Sequence, residues 1–168
     1  MTSGATPIFC DCKEDYNIDS DKIKEKISHN TKAIIPVHWS GRPCDMDKIN
    51  KIAEENNLYV IEDACHAIQA EYNGRRCGSL GKTGCFSFHP LKNLNVWGDG
   101  GIITTNDYKL AEKLKLIRNH GLIGRNTCVE FAYNSRLDSI QAVVAKHVLE
   151  NKLENITSTR IKNAMHLD

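Results

Sequence analysis

Short apolar runs alternate along this chain with stretches in which apolar residues recur every three or four positions, and that alternation leaves few folds open. Ala33 to Val37, Leu58 to Glu62, Cys85 to Phe88 and Ile102 to Thr105 read as strands. Pro7 to Asp11 reads as an opening strand that places Cys10 and Cys12 on one face as two packed thiols. Asp19 or Ser20 can cap a helix carrying Ile23 and Ile27, and Asp45 or Asp47 one carrying Ile49, Ile52 and Ala53 and ending at Asn56 and Asn57. Strand, helix, strand, helix, strand predicts an α/β chain with a mostly parallel sheet flanked by helices and right-handed crossovers.

Further on, leucines and Ile117 recur among lysines between Asp107 and Asn119, predicting a solvent-facing helix that the glycine of RNHG closes. The segment between Gly121 and Phe131 reads as a polar, mobile loop. Arg136 to Leu153 predicts one long amphipathic helix, apolar at Leu137, Ile140, Val143, Val144, Val148 and Leu149, which suits core, a domain link or an oligomer seam. The rest of the chain continues in polar helical character.

Two positions suggest chemistry. Asp63 falls at the carboxyl end of the buried run LYVIE, where ligands bind in open α/β sheets; it can be a helix N-cap or the partner of a protonated ring nitrogen. Lys92 sits between an apolar strand and the return containing Gly98, Gly100 and Gly101, glycines that suggest unusual dihedrals. A lysine held in such a loop is either a surface residue or, once desolvated, a nucleophilic amine able to join an aldehyde. A lysine with such an aspartate is the pair that pyridoxal phosphate (PLP) chemistry requires. The turn HWSGRP at 38 to 43 also follows a strand and either lines a pocket or merely connects.

Other classes are disfavoured. A net charge of +1 on 168 residues gives no footprint for nucleic acid or an anionic membrane. The apolar runs are too short to cross a bilayer and the start has no signal-peptide pattern, so the chain is expected in the cytoplasm. Seven cysteines without a CxxC pair suit reduced thiols rather than a disulfide framework or a metal site. GKT at 81 to 83 mimics the end of a phosphate-binding loop, but Arg76 stands where that motif needs glycine, and a strand follows in place of a helix.

EDACHA at 62 to 67, YNGRRCGSLGKTGCFSFHPLKNLNVWGDGGIITTND at 72 to 107, RNHG at 118 to 121 and YNSRLDSIQAVVAKHVLENKL at 133 to 153 resemble the DegT/DnrJ/EryC1/StrS family of PLP-dependent nucleotide-sugar aminotransferases. The resemblance implies the type I PLP-dependent transferase fold and amino transfer from an amino acid, typically glutamate, to a nucleotide-linked keto-sugar, in surface polysaccharide or amino-sugar synthesis. It implies that Lys92 joins PLP covalently and later moves the proton, where family members with histidine at that position are dehydratases. It further implies that Asp63 holds the ring nitrogen, that His66 lies near the phenolic oxygen, and that Cys65 replaces a common alanine against the ring. Ser87 would bind the phosphate, and Asn134 would reach it from the neighbouring subunit of a homodimer. Family members are considerably longer. Residues 1–135 are therefore expected to be the central part of the PLP-binding large domain, and 136–168 a long helix with the start of a linker to a small domain outside the chain. Such an incomplete domain is expected to expose apolar edges, and the alternative function is a non-catalytic remnant or binding module that does not hold PLP.

Overall fold

A computed structural model describes residues 3 to 167. Its centre is a four-stranded sheet in the order β1-β2-β5-β6, built from Ala33–Ile34 (β1), Tyr59–Asp63 (β2), Thr83–Ser87 (β5) and Gly101–Thr104 (β6). β1 and β2 run parallel, as do β2 and β5, whereas β6 returns antiparallel with Ser87 opposite Gly101. The mostly parallel α/β expectation therefore holds. The antiparallel edge arises because no helix lies between β5 and β6 to carry the chain back to the other end.

Two short hairpins lie outside the sheet. Glu71–Tyr72 (β3) and Arg75–Arg76 (β4) flank Asn73 and Gly74, both at positive φ (50° and 74°), the combination a type I′ turn needs. Leu122–Gly124 (β7) pairs with Thr127–Cys128 (β8), so the segment expected to be a mobile loop is a hairpin. Gly121 shapes its entry, since at φ +66° a Cβ would lie 1.9 Å from the Glu130 carbonyl oxygen.

The opening differs from expectation. Pro7 to Asp11 pairs with no strand, only Cys12 bridges Ile18, and Cys12 is exposed with Cys10 half-buried, because hydrogen bonds run locally between Lys13 and Asn17 and between Asp19 and Asp11. The first helix shrinks to Ile23–Lys26 (α1) without a side-chain cap. Met46–Glu55 (α2) is capped by Asp45, whose carboxylate accepts from the Lys48 amide, and buries Met46, Ile49, Ile52 and Ala53 against β1 and β2.

Tyr108–Ile117 (α3) is capped by Asp107, which also pairs with Lys82 of the GKT turn at 2.6 Å. That turn feeds β5 and not a helix, as its spacing predicted. The helix expected at 136 to 153 is shorter, Ser139–Asn151 (α4), and the polar stretch after it forms a separate helix, Leu153–Ala164 (α5); the two meet at Lys152, whose φ of −129° breaks the helix. α4 buries no residue fully, and Ile140, Val143 and Leu149 are exposed. Leu153 is the member of α5 that enters the second core, with Phe88, Leu94 and Val96. Among the described residues no helix is long and apolar enough to cross a membrane.

Candidate active site

The carboxyl ends of β2 and β5 carry the site, because adjacent residues on a strand point to opposite faces. Glu62 and Asp63 are thereby sent apart, with contrasting results. Glu62 is fully buried. Its Oε2 accepts from His38 Nε2 at 3.0 Å and from the Gly78 amide at 2.6 Å, and its Oε1 from the amides of Leu80 at 2.7 Å and Gly81 at 2.6 Å. Burial alone pushes its carboxyl upward, but the His38 bond and the amides of Gly81, Gly78 and Leu80 outweigh this and hold it below the ordinary value. His38 Nδ1 accepts from the Cys44 amide at 3.1 Å, so Nε2 carries the proton given to Glu62. Cys77 lies close enough to make His38, Glu62 and Cys77 a possible metal-ligand triad, yet all four acceptor positions of the carboxylate are already taken by N–H groups.

Asp63 is half-buried and far less engaged. Its Oδ1 accepts from the Cys65 amide at 3.1 Å, and Oδ2 has no hydrogen-bond partner among the described residues. No helix follows it, so the N-cap role falls away. Its backbone is fixed on two sides, by the Pro36 carbonyl and the His38 amide, and it lies in register with Cys85 of β5. The carboxylate is thus rigidly placed at a strand end with one oxygen free.

A cavity of about 430 Å³, within the ordinary range for small-molecule sites, opens at these strand ends; Asp63 does not line it and reaches it through Cys65, from whose amide its Oδ1 accepts. Ser87 reaches it from the end of β5 and Lys92 from the following turn, whose Lys92 amide bonds the His89 carbonyl at 2.8 Å. Cys65 and His66 line it after β2, and Ser40 comes from the turn Trp39–Gly41. Burial first, and then the neighbouring Asp63 carboxylate, push the Cys65 thiol up to about 11, opposed by the charge of Lys92. That thiol therefore links the fields of both predicted residues.

The glycine-rich return is arranged differently from the sequence expectation. Gly98, Gly100 and Gly101 do not adopt positive φ; Trp97 does, at 61°. Gly101 is required for close approach, since a Cβ there would lie 2.7 Å from the Phe86 carbonyl oxygen. In the HWSGRP turn, His38 is buried away from the cavity, while Trp39 meets His66 with ring centroids 5.5 Å apart. Asn134 does not join the group: it is exposed, bridges Asn119, and accepts from Arg136 Nε at 3.0 Å. Two participants escaped sequence reading. Glu62 looked like one more residue of a strand, and Arg160 of α5, which lines the cavity, lies 68 residues after Lys92 in a segment without a motif.

With this geometry in place, the chain belongs to the DegT/DnrJ/EryC1/StrS aminotransferase family, whose model matches residues 1–168. It is 51% identical over 143 residues to the dTDP-3-amino-3,6-dideoxy-alpha-D-galactopyranose transaminase of Aneurinibacillus thermoaerophilus, covering 84% of this chain and 39% of that protein. Among solved structures it matches DesV of S. venezuelae, in complex with a ketimine intermediate, with a TM-score of 0.88 and 39% identity over 92% of this chain and 42% of the other. It also matches NtdA of Bacillus subtilis with bound cofactor PMP, with a TM-score of 0.80 and 38% identity over 86% of this chain and 33% of the other. The expected fold class is that of these aminotransferases. The chain spans about two fifths of the length of the curated relatives it matches.

Proposed function

We propose that this chain forms the PLP-binding part of a cytoplasmic aminotransferase that moves an amino group from an amino acid, in the first instance glutamate, to a nucleotide-linked keto-sugar. The observation that carries the reading is the convergence of Lys92, Ser87, Cys65 and His66 on one cavity, with the half-free Asp63 carboxylate joined to it through Cys65. The donor set fits PLP: an amine for the aldehyde, a hydroxyl for the phosphate, and a carboxylate oxygen without a partner for a cationic ring N–H.

When bound, PLP supplies an electron sink for the carbon that loses or gains a proton. Asp63 Oδ2 would accept the ring N–H and keep that nitrogen charged, with the Pro36 carbonyl and the His38 amide pinning its backbone. Lys92 would hold the cofactor through Nζ and, when released, would carry the proton on the same atom. Ser87 would donate to the phosphate, His66 would face the phenolic oxygen, and Cys65, protonated at neutral pH, would pack as a small apolar group. Asn134 would serve the phosphate of a neighbouring subunit, a role supported by its exposure and by its not lining its own chain's cavity. Residues 1–135 make up the cofactor-binding unit, and 136–168 lead toward a second domain.

Borohydride reduction after incubation with PLP, followed by peptide mapping, tests the reading. A pyridoxyl group on Lys92, absent in Lys92→Ala, is expected; no label, or label scattered over surface lysines, overturns it in favour of a module that does not hold PLP.

A further inference from the structure

The cavity beside Lys92 has an unbalanced charge. Eleven residues line it, and while Lys92 and Arg160 are cationic, none is an aspartate or glutamate. Arg160 makes no ion pair or hydrogen bond among the described residues, whereas Lys82, Lys113, Lys115 and Arg76 each pair with a carboxylate. Its position is nevertheless fixed. Leu153, Thr157 and Arg160 are spaced to share one face of α5. Leu153 is fully buried in the second core, and Thr157 Oγ1 donates to Gln69 Oε1 at 2.5 Å. Gln69 in turn donates to Glu154 Oε2 at 3.1 Å, so two bonds and a buried leucine tie the helix to the segment that follows His66. Arg160 is thereby presented at the cavity with its own charge unanswered.

We propose that Arg160 is a specificity residue that holds an anionic group of the substrate at the mouth of this cavity. This rests on the aminotransferase reading and goes beyond it by assigning a substrate contact. A guanidinium offers several donors in a planar fork that matches carboxylate and phosphate oxygens. It is exposed at the edge of the cavity that Ser87 also lines, and it comes from α5, whereas Ser87 comes from the end of β5. Two anions of the reaction have this chemistry, the carboxylate of the amino donor and the diphosphate of the nucleotide sugar.

Titration calorimetry of the full chain with glutarate and with UDP, in the wild type, Arg160→Ala and Arg160→Lys, separates the sources. The wild type is expected to bind at least one of them. Arg160→Ala should weaken that binding about 10- to 100-fold, the equivalent of losing one charge-assisted hydrogen bond. Arg160→Lys should recover only part of it, and the favoured anion names the group. Equal binding in wild type and Arg160→Ala, or no binding of either anion by the wild type, overturns the proposal. So does loss of the pyridoxyl label at Lys92 in Arg160→Ala with anion binding unchanged, which would assign Arg160 to the cofactor phosphate. The calorimetry needs no PLP, so an unlabelled Lys92 in the wild type defeats the aminotransferase reading without deciding the anion site.

Discussion

Glu62 and Asp63 are neighbouring carboxylates on one strand, and they divide the molecule into a saturated side and an open one. Glu62 accepts four N–H groups and is sealed from solvent; Asp63 accepts one and keeps an oxygen free. The lesson is that hydrogen-bond saturation, more than burial or charge, separates a carboxylate that organises a fold from one that can serve a ligand. Glu62 ties the His38 turn and the Gly78 to Gly81 loop to β2. Glu62→Ala leaves four donors without an acceptor, three of them buried, and should lower stability by about 3–5 kcal/mol, read as the shift in the urea midpoint. Glu62→Gln, which keeps one acceptor oxygen, should cost about 2 kcal/mol. A loss below about 1 kcal/mol in Glu62→Ala would break the comparison.

Acid sharpens the same contrast. The folded-state carboxyl of Glu62 is depressed, so its contribution is fully present above the ordinary value of 4.5 and is lost as pH falls through that value toward the folded one. Thermal midpoints of the wild type should therefore fall more steeply below pH 4.5 than those of Glu62→Gln. Parallel slopes for the two proteins would place the acid sensitivity elsewhere.

The sequence made one side of this comparison easier to read than the other. The parallel strands and α2 with its Asp45 cap were legible from local patterning and Lys92 from its loop, whereas Ser87, Cys65 and His66, which line the cavity with it, were implied only by the family resemblance. Glu62 was not, since its partners at 38, 78, 80 and 81 come together only when β2 and β5 pair. Asn73-Gly74 was a strong hairpin signal lying inside a motif and went unread. The opening strand failed because alternation in Ile8 to Cys12 has no neighbouring strand to pair with, and both Ile8 and Phe9 stay exposed. The break at Lys152 followed from packing: Leu153 turns fully into the second core, while α4 lays Ala145 and Val148 partly against it and leaves Ile140, Val143 and Leu149 exposed.

On the open side, Asp63→Asn should change stability by less than about 1 kcal/mol, because only the bond to the Cys65 amide is at stake and an amide oxygen can still accept it. Cofactor retention should respond far more, with PLP affinity reduced roughly 10- to 100-fold as a charge-assisted contact is lost. Absorbance titration with PLP, run beside the urea series, reads both effects. A large stability loss with unchanged PLP affinity would move Asp63 to the structural side.

The smallest effect reports the field at the cavity without any cofactor. The Cys65 thiol is held up to about 11 by burial and by Asp63, with Lys92 acting in the opposite direction. Asp63→Asn removes an anion that disfavours the thiolate, so the thiol value should fall and Cys65 should alkylate severalfold faster with iodoacetamide at pH 8.5. Lys92→Ala removes the opposing cation and should slow the same reaction. Glu62→Gln should leave it unchanged below its unfolding transition, because Glu62 faces the other side of the strand and is not among the groups that set this thiol. Mass-spectrometric rates for Cys65, with exposed Cys12 and Cys128 as internal references, give the order Asp63→Asn, wild type, Lys92→Ala from fastest to slowest. If Glu62→Gln accelerated Cys65 as much as Asp63→Asn, the two faces of β2 would be electrostatically continuous, and the division between a saturated and an open carboxylate would fail at the thiol that lies closest to both predicted residues.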